Sequence, residues 1–84
     1  MECVREYVAV KAMFSPEGRI NPLKIYWEDG RVFHIDKILD IRPSSSLKAG
    51  GAGLRYTCRI GTHQAYLFLD NGKWFVERKI HPLI

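Results

Sequence analysis

Turn-forming residues recur along this chain at intervals too short for helices. Ser15-Pro16-Glu17-Gly18, Asp29-Gly30, Gly61-Thr62 and Asn71-Gly72 all carry turn chemistry, and the stretches between them are rich in β-branched and aromatic residues. Apolar residues rarely recur at the i, i+3, i+4 spacing of a helix. Alternation of apolar with polar residues is frequent, which is the period of a strand with one buried face. The chain therefore reads as all-β. Strands are expected over residues 7–14, 23–27, a bent stretch reaching Ile41 and stopped by Arg42-Pro43, then 54–60, 64–69 and 73–77. Residues 43–53 read as one long loop, and the tail, 78–84, follows no pattern.

The turns also set registers. With Asp29-Gly30 as a type I′ pair, Glu28 faces Arg31, Trp27 faces Val32, Tyr26 faces Phe33 and Ile25 faces His34. Gly61-Thr62 suits type II′ and Asn71-Gly72 type I′. Those two loops set Cys58 against Ala65, Tyr56 against Leu67, Leu54 against Leu69, Leu69 against Trp74, and Leu67 against Val76, a face that is plainly core. Strict alternation then gathers Arg55, Thr57, Arg59, Gln64, Tyr66, Phe68, Lys73, Phe75 and Glu77 on the reverse face. The stretch 25–33 aligns without gaps on 67–75, but only two of nine positions are identical, and two hairpins obeying one set of turn rules look alike without a duplication.

With 84 residues the chain can build one small core, so a single domain spanning 1–84 is expected. The N-terminus, Met1 to Glu6, has no signal-peptide core, and no apolar run is long enough to span a bilayer. The chain reads as cytoplasmic, with no membrane partner. Its two cysteines, Cys3 and Cys58, fit a reducing compartment, with Cys58 a buried free thiol inside a strand, although a Cys3–Cys58 bridge is open from sequence alone.

Catalytic and cofactor chemistry find little footing. His34, His63, His81 and the cysteines lack metal-binding spacings, and His34 reads as a strand residue sharing a face with Ile25. Ser44-Ser45-Ser46 has no nucleophile elbow around it. Lys48 with Gly50-Gly51-Ala52-Gly53 resembles a phosphate cradle, but a strand follows where the phosphate-binding motifs require a helix, so a flexible connector is the better reading. Neither an enzyme nor a cofactor is expected.

Charge is the more informative signal. Residues 1–42 carry seven Lys and Arg against seven Asp and Glu, whereas residues 43–84 carry six against two, so the whole net charge of +4 belongs to the second half. Arg55 and Arg59 fall about 13 Å apart along one strand, the reach of about two nucleotides of a single strand, with aromatic rings between them. The run Tyr26 to Phe33 together with the meander from Leu54 to Glu77 resembles the SH3-like barrels of many short bacterial proteins. That resemblance spans residues 4–77 and implies a small antiparallel barrel of five to six strands, a fold that hosts binding to nucleic acid, peptides or other subunits. The expectation is a non-enzymatic binding module contacting single-stranded nucleic acid through Arg55, Arg59, Tyr66, Phe68, Lys73, Phe75 and Lys48. The competing expectation is a protein-interaction or homodimerisation module using the same aromatic face, with Tyr66, Phe68 and Phe75 covered by the first strand, the tail or a partner.

Overall fold

The computed structural model describes residues 3–46 and 51–79, which form eight strands in two antiparallel sheets. In chain order these are β1 (Cys3–Tyr7), β2 (Ala9–Phe14), β3 (Ile20–Tyr26), β4 (Val32–His34), β5 (Lys37–Ser46), β6 (Gly51–Ile60), β7 (His63–Asp70) and β8 (Lys73–Lys79). One sheet has five strands in the order β1-β8-β7-β6-β5, and the other has three in the order β2-β3-β4. Among the described residues no helix is long and apolar enough to cross a membrane.

The strand count exceeds the expected five to six because two stretches of chain are each divided between the sheets. The first begins at Cys3, earlier than expected, and breaks at Val8, so that β1 pairs with β8 and β2 with β3. At the break the Val8 N–H donates to the Trp74 carbonyl at 3.0 Å. The second breaks at Ile35-Asp36, where Ile35 donates to Leu23 of the smaller sheet and Asp36 to Arg59 of the larger, both at 2.9 Å. The change of sheet leaves no buried backbone donor orphaned at these positions. Asp36 also accepts the Gly61 N–H at 2.7 Å, which ties the break to the β6–β7 turn.

The Asp29-Gly30 loop differs from expectation by one residue. Tyr26 pairs with Val32, Ile25 with Phe33 and Lys24 with His34, so His34 stands opposite Lys24 and is exposed. The reason is local. Gly30 donates to the Trp27 carbonyl, Trp27 donates to the Arg31 carbonyl, and Gly30 alone takes a positive φ, of 94°. This is a type I turn followed by a left-handed glycine, a three-residue loop, whereas type I′ would need positive φ at Asp29 too. Asp29 instead accepts the Arg31 backbone N–H at 3.0 Å and the Arg31 guanidinium at 2.6 Å. Both contacts, the backbone N–H first, hold its carboxyl below the usual range. Ser15 to Gly18 repeats the pattern, with Gly18 donating to Ser15 at a φ of 87°. By contrast Asn71 and Gly72 both have positive φ, and Asp70 pairs directly with Lys73, as type I′ requires. The two hairpins that look alike in sequence thus close with different turns. The β7–β8 ladder ends at Phe68–Phe75, so Leu67 and Val76, expected to face each other, are not paired, because β7 stays with β6 and β8 with β1 beyond that point.

The loop expected over 43–53 is largely strand. β5 runs on through Pro43, paired with Leu54, to Ser46, paired with Gly51. Proline is tolerated because β5 is the edge of its sheet, where a missing N–H breaks no ladder. Lys48 falls between β5 and β6, outside the described residues, as do residues 80–84. β8 continues to Lys79, two residues beyond its expected end at Glu77.

The core lies between the sheets. Ile25 of β3, Tyr56 and Cys58 of β6 and Leu67 of β7 are buried. The β6–β7 register sets Cys58 against Ala65, Tyr56 against Leu67 and Leu54 against Leu69, as the Gly61-Thr62 turn demands. Trp27 packs edge-on against Phe33 at 6.1 Å, and Tyr56 lies 5.5 Å from Trp74. The Tyr56 hydroxyl donates to the Ile20 carbonyl at 2.6 Å, a side-chain bond joining one sheet to the other. Cys58 is a free thiol with no exposed surface, and burial pushes its pKa up to about 11.

Candidate nucleic-acid interface

The outer face of the five-stranded sheet is built from cross-strand rows. Antiparallel partners share a face, so the register can be followed from strand to strand. One row runs Arg42, Arg55, Phe68, Phe75, Tyr7 across β5, β6, β7, β8 and β1. A second holds Asp40, Thr57 and Tyr66, and a third holds Lys37, Arg59 and Gln64. Asp70 pairs with Lys73 near the β7–β8 turn.

The rows separate buried from exposed members of the expected site. Phe68 and Phe75 are stacked, with centroids 5.0 Å apart and planes 6° from parallel, and they retain only 9% and 3% exposure. Tyr7 covers Phe75 at 5.7 Å, and the Arg5 guanidinium stands 4.6 Å from the same ring. Neither phenylalanine offers an open ring face to a ligand. Tyr66 is 49% exposed and carries the Arg55 guanidinium over its ring at 4.7 Å. Arg59 and Lys73 are exposed, the Lys73 ammonium 5.9 Å from the Tyr7 ring. Arg55 is half-buried, and its Nε is buried without a hydrogen-bond partner among the described residues.

Two members of this face were not expected from the sequence, Lys37 and Arg42. A β-bulge between Ile38 and Asp40 inserts Leu39 and shifts the register, so Lys37 and Asp40 point the same way although three positions apart. Strict alternation would put them on opposite faces. Arg42 was hidden because Arg42-Pro43 reads as a strand end. The consequence is two like-charged cross-strand pairs, Arg42 with Arg55 and Lys37 with Arg59, on either side of the Thr57–Tyr66 row. Directly opposed like charges destabilise a sheet by up to about 1 kcal/mol per pair relative to neutral partners. Asp40 relieves one pair by binding the Arg42 Nε at 2.6 Å, a partly exposed bridge that contributes little to stability. No acidic residue is paired in register with Arg59.

Among the described residues no group of three or more His, Cys, Asp or Glu side chains could hold a metal ion. No protein-family model, curated protein or solved structure matches this chain.

Proposed function

We propose that this protein is a non-enzymatic, cytoplasmic module that binds single-stranded nucleic acid on the β5–β6–β7 outer face. The observation that carries this reading is the pair of cross-strand cation pairs bracketing an exposed tyrosine. The Lys37–Arg59 pair, which has no acidic partner in register, is relieved when an anion binds between its charges, and a phosphate can take the place of Asp40 at Arg42–Arg55. Phosphates along a strand supply such anions at intervals. Arg55 and Arg59 lie about 13 Å apart along β6, about two nucleotides, so one phosphate can meet each cation pair while an intervening base stacks on Tyr66 in place of the Arg55 guanidinium, which turns from that ring to the phosphate. Stacking of this kind tolerates any base, and the expected preference is for unpaired strands of whatever sequence. Phe68 and Phe75 serve as the packed support of the platform, and Lys73 extends the cationic surface. The same burial weakens the homodimerisation reading, which needs those rings as interface.

The finer fold proposed is a small SH3-like barrel. It is supported by the continuity of chain from β1 to β2 and from β4 to β5, where backbone hydrogen bonds reach from one sheet to the other.

A fluorescence anisotropy titration of a labelled oligothymidylate across salt concentrations tests the binding. With three to four phosphate contacts, log K falls against log salt with a slope of about −2 to −3, and Lys37→Glu with Arg59→Glu removes roughly half of it. Absence of binding at low salt, affinity untouched by that double substitution, or equal affinity for duplex would each overturn the reading.

A further inference from the structure

β7 and β8 leave the β6–β7–β8–β1 order only partly zipped. They pair through Phe68–Phe75, Leu69–Trp74 and Asp70–Lys73 and no further, although β7 continues to pair with β6 down to His63 and β8 with β1 out to Lys79. Between the diverging ends lies a cleft of about 640 Å³. Residues from both faces of β7, Ala65 inward and Tyr66 outward, and from both faces of β8, Val76 and Glu77, line it, so it passes between the strands into the space between the sheets. Its floor is Ile25 and Phe33 of the smaller sheet with Trp27, which follows β3, an apolar and aromatic surface.

We infer that this cleft receives an extended segment of another polypeptide, which adds as a strand between β7 and β8 and sets alternate apolar side chains against Trp27 and Phe33. The two strand edges select this occupant. Among the described residues, the β7 edge over His63–Leu67 and the β8 edge over Val76–Lys79 have no ladder partner on the sides that face each other. Such edges present backbone donors and acceptors in the repeat that an extended backbone matches. Five residues of strand cover about 17 Å, the length of the open β7 edge, and side chains alternating along it place every second one into the cleft. A compact apolar molecule would fill the floor and leave both edges unpaired. The cleft shares Tyr66 with the proposed nucleic-acid face, but none of Lys37, Arg42, Arg55 and Arg59 lines it, so loss of nucleic-acid binding through Lys37→Glu with Arg59→Glu leaves the strand edges and the floor intact.

Selection from a phage library of randomised heptapeptides against the full chain tests the inference. The expected winners alternate apolar and polar residues and, when bound, protect from hydrogen exchange the amides of Gln64 and Tyr66, which point away from β6. A winner resynthesised with N-methyl groups at alternate positions loses roughly tenfold or more in affinity, because main-chain hydrogen bonds supply the affinity in strand addition. Ala65→Trp, which fills the cleft, abolishes binding. Failure to enrich any peptide, undiminished binding of the N-methylated form, or binding unaffected by Ala65→Trp would overturn the proposal. So would protection of the Gln64 and Tyr66 amides already present in the free protein, whether constant with dilution or lost on dilution, since the chain itself or a second copy would then occupy the cleft. The N-methylated arm uses the native protein and does not depend on how Ala65→Trp folds.

Discussion

Tyr56→Phe isolates the one side-chain hydrogen bond that, among the described residues, joins the two sheets in the core. The ring is 1% exposed and lies 5.5 Å from Trp74, so phenylalanine keeps the packing and loses only the hydroxyl and its 2.6 Å bond to the Ile20 carbonyl. A hydrogen bond of this kind contributes about 1 kcal/mol net, and a fully buried carbonyl left without a partner adds a desolvation cost of about 1–3 kcal/mol. Here the second cost is small. Ile20 and Tyr56 both border an open cleft beside Arg19 and Asp40, so water can reach the carbonyl once the hydroxyl is gone. The expected loss is therefore about 1 kcal/mol, which lowers the melting temperature by about 4–8 °C in a domain of this size. Thermal unfolding followed by far-ultraviolet circular dichroism measures it, with Tyr66→Phe, whose ring is 49% exposed, as a control that leaves stability unchanged. A shift below about 2 °C, less than half that expected, would refute the reasoning and assign the joining of the sheets to apolar packing alone.

Other consequences follow from the same geometry. Cys58 has a pKa raised by burial from 9.0 to about 11, so its contribution is complete below pH 9.0 and is lost as the pH rises toward 11. Urea unfolding of wild type against Cys58→Ala from pH 8 to 11 should show the wild type losing stability faster over that window; parallel curves would contradict it. Arg55→Met removes a buried Nε that has no partner while keeping an apolar stem over the sheet. Chemical denaturation should find stability equal or higher by up to about 1 kcal/mol, while affinity for the oligothymidylate falls. Gly53→Ala brings a Cβ to 3.1 Å from the Ser44 carbonyl and 3.4 Å from the Leu69 carbonyl. Because both neighbours are backbone, the change should cost about 1–2 kcal/mol in denaturant unfolding; a neutral result would mean that β5 and β7 can yield around β6.

Much of this fold is legible because strand alternation and turn chemistry are local. Gly61-Thr62 and Asn71-Gly72 close two-residue loops, and from them the register of β6 against β7, and of β7 with β8 near the turn, follows residue by residue. Asp29-Gly30 was less transparent. The same dipeptide serves a two-residue or a three-residue loop, and the Asp29 carboxylate accepting the Arg31 N–H accompanies the longer one. The candidate site was partly legible for the same reason. Arg55, Arg59 and Tyr66 share a face by alternation alone, whereas Lys37 joins them only through a bulge that alternation cannot anticipate.

What the chain determines by itself is therefore its all-β character, two of its hairpin registers, and the concentration of net positive charge in residues 43–84. Tertiary structure decides which apolar residues are hidden and which charges become neighbours. Phe68 and Phe75 lie on the face opposite the core, yet β1 returns across β8 and covers Phe75 with Tyr7 and Arg5. Arg42 and Arg55 are 13 positions apart, and Lys37 and Arg59 are 22 apart; antiparallel pairing of β5 with β6 brings each pair together. Strand pairing joins residues remote in sequence, and no pattern within a single segment records which remote segment will lie beside it.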